Sequence, residues 1–344
     1  MSSLQSLTAY FHPTTACFID DNESFMAGLA LVLPEYMSSV AFFDPLMALE
    51  YVNRPPEIPT LAERCFSSTG LSTRQTFHLD TDLIEQEINI LQRFNRLSVV
   101  VVDYSMPGLN GLQFCEQVQD PQIGKVLLTG VADEKMAVEA FNAGIIDRFI
   151  SKSHPLASEH ISEFSKEMQH AYFLEQTKQM LQTLRLAGPI FVDDPDVIDW
   201  VRRQMQNKGF CEYYITNDPP GLLLVTPSGR LQQMIILSDS ECEAQANYAQ
   251  RHGAPQRVVR RLRERTHIGF FLEDPASYGS SEAYPWNELL HRRTMLGAKS
   301  QRWYAALVSE PPPNIDYQPE SACHDTWSRV RKAQLPATAS RLVY

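Results

Sequence analysis

Residues 98–111 read SVVVVDYSMPGLNG: four consecutive valines, an aspartate, then a Met-Pro-Gly turn. A β-branched run without polar alternation belongs in a strand buried on both faces. Such a strand has no reason to end on Asp103 unless its last residue leaves the interior. An open parallel α/β sheet provides that exit, because its binding crevice lies outside the carboxyl ends of the strands. The stretch therefore predicts a central strand that delivers a carboxylate to a crevice.

The sequence on either side has the alternation this fold needs. TACFID (15–20) is a short apolar run ending on acid, and ESFMAGLALVL (23–33) has helical spacing. SSVAFF (38–43) predicts a second strand, and DPLMALEYV (44–52) a helix with Asp44 as N-cap and Pro45 at its first position. After the valine strand, GLQFCEQV predicts a helix and KVLLT (125–129) a fourth strand. DEKMAVEAFNAG is a helix closed by Gly144, and DRFIS (147–151) is a fifth strand.

The ends of these strands carry chemistry. The first ends on Asp20-Asp21, the third on Asp103, the fourth on Thr129 and the fifth near Lys152. Converging carboxylates raise one another's pKa. A divalent cation removes that repulsion, and hard oxygen donors of this kind suit Mg²⁺ with a phosphate oxygen as further partner. Acid pair, central acid, hydroxyl and lysine together predict a phosphoryl-handling pocket.

FIDDNESF, VVVVDYSMPG, KVLLTG and RFISKS, in that order over about residues 14–155, resemble the receiver domain of two-component response regulators. The resemblance implies a flavodoxin-like (CheY-like), doubly wound, five-stranded parallel sheet. It implies Asp103 as phosphoacceptor, with a sensor histidine kinase or phosphotransfer protein as partner. Mg²⁺ would be held by Asp20, Asp21, Asp103 and the backbone carbonyl of Ser105. Thr129 and Lys152 would contact phosphoryl oxygens, and Phe149 stands where the family has its switch aromatic. The family usually places a proline directly after the lysine, whereas Ser153 and His154 here precede Pro155.

Residues 53–95 interrupt the alternation and are expected to be an insertion, with one capped helix over DLIEQEINILQRFN (82–95). A linking helix is expected over 156–186, where Ile161, Phe164 and Met168 form one apolar stripe and Phe173, Met180 and Leu184 another, shifted in phase. The shift argues against a long coiled coil, and homodimerisation through this helix stays open. The expected organisation is a receiver over 1–155, the linker, an output domain over 187–310 and a loosely ordered tail over 311–344.

In the output domain, Asp194 and Pro195 start a helix, and FCEYYIT (210–216), GLLLVT (221–226), LQQMIIL (231–237), HIGFFL (267–272) and RWYAALV (302–308) predict strands. That order suggests an α+β domain on a mainly antiparallel sheet. RVVRRLRERT gathers Arg257, Arg260, Arg261, Arg263 and Arg265, a candidate contact for nucleic acid or a nucleotide, although the near-neutral charge of this half favours a solvated helix face. Glu212 and Asp218 are candidates for a nuclease-like acid pair without the lysine spacing it needs. Asp193, Asp194, Asp196 and Asp199 lie where helix starts favour acid. The EYYI strand after a receiver resembles response regulators of α-hydroxyketone quorum-sensing systems.

Composition bounds the rest. The 344 residues carry a net charge of −11, with 23 acidic and 12 basic groups up to residue 187 and 18 of each beyond it. The acidic half is not a nucleic-acid binder by itself. Six scattered cysteines without a CxxC pair point to reduced thiols. No apolar run is long enough to span a bilayer and the first residues lack a signal peptide's pattern, so a cytoplasmic protein is expected. The function expected is a response regulator signalling through changed partner binding or dimerisation. The alternative is a phosphorylation-controlled protein whose output half binds nucleic acid or a nucleotide.

Overall fold

The computed structural model describes residues 6–31, 33, 37–69, 76–79, 82–130, 133–186, 190–271, 283–297, 301–308, 319–334 and 339–340. In chain order the first half runs β1 (Tyr10–Phe11), β2 (Thr15–Ile19), α1 (Glu23–Ala30), β3 (Ser38–Phe42) and α2 (Pro45–Val52). Within the expected insertion lie α3 (Leu61–Cys65), the antiparallel pair β4 (Phe66–Thr69) and β5 (Thr76–Leu79), and α4 (Asp82–Gln86). The chain returns as β6 (Leu97–Asp103), α5 (Gly111–Gln117), β7 (Gly124–Thr129), α6 (Glu134–Asn142), β8 (Arg148–Ser151) and α7 (Ala157–Arg185).

Strands β3-β2-β6-β7-β8 form a parallel sheet in that order, the flavodoxin-like arrangement. Side-chain alternation splits its residues between two cores. Ile19, Phe42, Val100 and Val102 pack with Ala48, Phe114 and Ala140 of α2, α5 and α6. Phe18, Ala41, Val99, Val101 and Leu128 pack with Met26 of α1 and Ile161 of α7. Both faces are covered, so the valines carry no polar alternation. The helix starts are set locally. Asp44 accepts from the amides of Leu46 and Met47, and Asn110 and Gln113 form a reciprocal capping box on α5.

The second half runs α8 (Pro195–Lys208), β9 (Glu212–Asn217), β10 (Pro220–Val225), β11 (Leu231–Ser238), α9 (Asp239–Arg251), α10 (Gln256–Arg263), β12 (His267–Gly269), β13 (Leu290–Arg292), β14 (Thr294–Leu296) and β15 (Trp303–Val308). Its antiparallel sheet has the order β1-β9-β10-β11-β15-β14. The N-terminal strand β1 thus belongs to this second sheet, so the span 1–155 expected for the receiver is not one unit in space.

The apolar core under this sheet has contributors from four parts of the chain. Tyr10 of β1, Ile84 and Ile88 of the insertion, Phe173 and Met180 of α7, and Tyr214 and Leu223 of the sheet share one buried cluster. This accounts for the phase shift along the linking helix. At about 1.5 Å per residue, α7 is about 43 Å long. Its first half covers the parallel sheet with Ile161 and Met168, and its second half enters the other core with Tyr172, Phe173, Met180 and Leu181. Both stripes are occupied within one chain.

The helix expected over 82–95 is shorter than its spacing suggested. It gives way to two 3₁₀ turns, Glu87–Asn89 and Leu91–Asn95, with Ile90 extended between them. Arg93 supplies the reason. Its guanidinium donates to the carbonyls of Ile88 and Ile90, at 3.0 and 2.9 Å, and pairs with Glu212 of β9 through two bonds at 2.9 and 3.0 Å. A tertiary ion pair thus replaces helical backbone bonds.

The tail also differs from expectation. Helices α11 (Pro319–Ala322) and α12 (His324–Gln334) are formed, and β16 (Ala339–Ser340) pairs antiparallel with β3 at the sheet edge. His324 bonds Ser38 at 2.9 Å, the Trp327 indole N–H donates to Asn95 at 2.7 Å, and both rings pack against Phe94. Aromatic burial orders this segment, which a polar, proline-rich composition concealed.

Candidate functional site

The carboxyl ends of β2, β6 and β8 meet at one crevice. Ile19 lies opposite Val102 in the parallel register, so Asp20 and Asp103 emerge side by side from adjacent strands. Oxygens of Asp20, Asp21 and Asp103 come within 4.8 Å of one another. Asp20 is fully buried, Asp103 nearly so, and Asp21 is exposed. Lys152, one residue beyond β8, reaches between them: its Nζ is 2.7 Å from Asp20 Oδ2 and 2.8 Å from Asp103 Oδ1.

The loops hold these groups in place. The amide of Asn22 donates to Asp20 Oδ1 at 2.9 Å, and Asn22 in turn caps α1 through the Phe25 amide. After Asp103, the Tyr104 amide donates to Leu128 at 2.8 Å and the Gly111 amide to Tyr104 at 3.0 Å. Ser105 stands exposed in this loop. The Lys152 amide donates to the Thr129 carbonyl at 2.9 Å. Among the described residues the one cis peptide is Asp218–Pro219, so the bonds from Lys152 to Pro155 are trans.

The electrostatics follow from burial. Desolvation pushes the Asp20 carboxyl above its ordinary value, against the pull of Lys152 and the Asn22 amide. Desolvation works against the Lys152 ammonium, yet its bonds to Asp103 and Asp20 outweigh this and hold its pKa above the usual lysine range. Among the described residues Lys152 pairs with Asp20 and Asp103, which leaves Asp21 and further carboxylate oxygens over. That oxygen-only donor set fits a hard divalent cation.

Thr129 closes β7 fully buried, its hydroxyl donating to Ile150 at 3.4 Å. Phe149 is half-buried on the α6 side, its ring 6.4 Å from that of Phe141. Two supporting residues escaped sequence reasoning. Phe25 lies under the lysine, with Nζ 4.8 Å above its ring; it ends the FIDDNESF stretch, and its distance from the acids was the available signal. Gly111 lets α5 approach the strand, since a Cβ there would stand 2.3 Å from the Asp103 carbonyl oxygen.

The remaining candidates separate. Glu212 is buried against Arg93 and accepts from the Tyr214 hydroxyl at 2.6 Å, whereas Asp218 is exposed beyond the other end of β9. They form no acid pair: the strand between them spans about 20 Å. Asp194 caps α8, while Asp193 and Asp199 pair with Arg185 and Arg202. Arg257, Arg260, Arg261 and Arg263 share the exposed surface of α10, but Arg265 turns away to Asp239 at 2.7 Å. No helix among the described residues is long and apolar enough to cross a membrane.

Residues 65–162 match the response regulator receiver domain family. The first two parallel strands and the acid pair lie outside that match, and the fold restores them to it. Residues 65–162 therefore match a receiver domain, and the parallel sheet that contains them has the CheY-like fold. Over almost its whole length the chain is similar to the solved structure of the Legionella pneumophila response regulator LqsR, with 24% identity, a TM-score of 0.76 and 97% of each chain covered. The receiver domain of AraT from Geobacillus stearothermophilus is 18% identical, with a TM-score of 0.30 over 47% of this chain and 98% of that one. An adenylate cyclase from Rhodopirellula baltica is 20% identical, with a TM-score of 0.35 over 50% and 98%. No curated protein matches the chain.

Proposed function

We propose that this chain is the response regulator of a two-component phosphorelay, phosphorylated on Asp103 by a sensor histidine kinase or phosphotransfer protein. The observation that carries this reading is the placement of Asp103 beside Asp20, with one lysine bridging both carboxylates at the crevice. In the transfer, an Asp103 oxygen attacks phosphorus in line. The bond from phosphorus to the donor's imidazole nitrogen breaks, and that nitrogen keeps the electron pair. Asp20, Asp21, Asp103 and the Ser105 carbonyl would hold Mg²⁺, which would supply charge neutralisation for the transfer.

Lys152 exchanges a carboxylate for a phosphoryl oxygen, and Thr129 turns its hydroxyl from Ile150 to another. Phe149 then follows the space that Thr129 leaves. Helix α7 begins five residues after Lys152 and ends inside the second core, so it is the route by which the output half responds. That response is changed partner binding or dimerisation. The EYYI strand favours density-dependent signalling as the process served.

Acetyl phosphate with Mg²⁺ tests the transfer. Intact-protein mass spectrometry should show one phosphoryl group, removed by hydroxylamine as an acyl phosphate must be, and absent from Asp103→Asn. Equal labelling of that variant would move the site elsewhere.

A further inference from the structure

Helix α10 carries charge that the fold leaves unanswered. Val258, Val259 and Leu262 are buried with Ala246 and Ala249 of α9, while Arg257, Arg260, Arg261 and Arg263 face solvent. Among the described residues none of these four forms an ion pair with a carboxylate, although Glu264 follows them directly. Arg263 has a neutral partner, Gln250. A fifth arginine joins from another element. Arg292 of β13 is exposed opposite His267 of β12, and burial together with Arg261 and Arg292 holds that imidazole below its ordinary pKa. Cations on two elements, α10 and β13, therefore press on one spot.

In a chain of net charge −11 this is a local exception, and an anion relieves its self-repulsion. The chemistry of the patch narrows the anion. Its cations are arginines, whose planar forks match phosphate oxygens in pairs. From Arg257 to Arg263 the helix rises about 9 Å, enough to follow two or three phosphates of one strand at about 3.4 Å each. No aromatic side chain stands on the exposed face of α10 to stack on a base, which argues for contact with the backbone rather than with unpaired bases.

We infer that Arg257, Arg260, Arg261, Arg263 and Arg292 form a sequence-independent docking surface for the phosphate backbone of a nucleic-acid duplex. This goes beyond the receiver chemistry and does not depend on it.

The test is fluorescence anisotropy of a labelled duplex of mixed sequence with the full chain, from about 50 to 200 mM salt. Contact with up to five phosphates gives a log-log salt slope approaching about −4.5. Arg260→Ala/Arg261→Ala should weaken binding and flatten the slope by about 1.8 with an unchanged melting curve, because both residues are exposed. Glu264→Gln should tighten binding. Three results would each overturn the inference: no binding at the lowest salt, an unchanged slope in the double variant, or competition by polyglutamate as effective as by duplex of equal charge. The last would assign the surface to an acidic protein.

Discussion

The receiver sheet sets a cation against acid at both of its ends, and the two ends are built oppositely. At the carboxyl ends of the strands, Lys152 lies between Asp20 and Asp103 with 22% of its side chain exposed, next to the open Asp21. At the amino ends, Arg93 meets Glu212 with both side chains fully buried. Backbone bonds fix that second pair to the sheet, since the Thr15 hydroxyl donates to Phe94 and the Thr15 amide to Arg96. A lysine that reaches water and already contacts two carboxylates can exchange one of them for another anion without leaving the crevice. A sealed pair cannot, because separating it strands a charge in the interior. One end is suited to receiving a ligand and the other to joining two cores. Helix α7 runs between them, from the lysine loop to the shared core.

Breaking the sealed end should have the largest effect. Arg93→Met leaves the Glu212 carboxylate uncompensated, and loss of a buried partner costs about 3–5 kcal/mol, read from the denaturation midpoint. Replacing the whole network, as Arg93→Met/Glu212→Leu/Tyr214→Phe, should recover most of that loss. A silent Arg93→Met would erase the difference between the two ends.

The tail braces the same end and offers a smaller test. Trp327→Phe removes the indole bond to Asn95 and part of the packing on Phe94, for about 1–2 kcal/mol. No loss of stability would mean that the tail merely rests on the surface.

At the open end the sign reverses. Burial raises the Asp20 pKa in the folded chain, so the native state holds that proton more tightly than the unfolded one. Stability from this group is fully present below the ordinary aspartate range and is lost as pH rises through the raised folded value. Asp20→Asn keeps the acceptor for the Asn22 amide and removes the buried charge. Without added cation it should stabilise the protein at neutral pH, and the gain should vanish in acid. Melting temperatures across pH decide this. A variant less stable than wild type at neutral pH would show that the carboxylate is held for stability.

The open end was legible in the sequence because each of its groups terminates a recognisable strand. Asp20, Asp103, Thr129 and Lys152 can be placed from periodicity and strand order alone. The sealed end was not. Arg93 and Glu212 are 119 positions apart, each inside a segment whose local pattern says something else. Arg93 sits in an apparent amphipathic helix that its own guanidinium breaks, and Glu212 lies in a strand where it imitates a catalytic acid. The joining of β1 to the second sheet was hidden for the same reason, since two residues carry no periodicity. The phase shift along α7 was the one visible sign that a single helix serves two cores.

The measurement closest to the central claim is the melting temperature with Mg²⁺ and beryllofluoride, a phosphoryl mimic that stabilises only a folded site able to bind it. Wild type should melt higher with both present, and Asp103→Asn should not respond. An equal rise in the variant, or none in wild type, would contradict Asp103 as the phosphoacceptor.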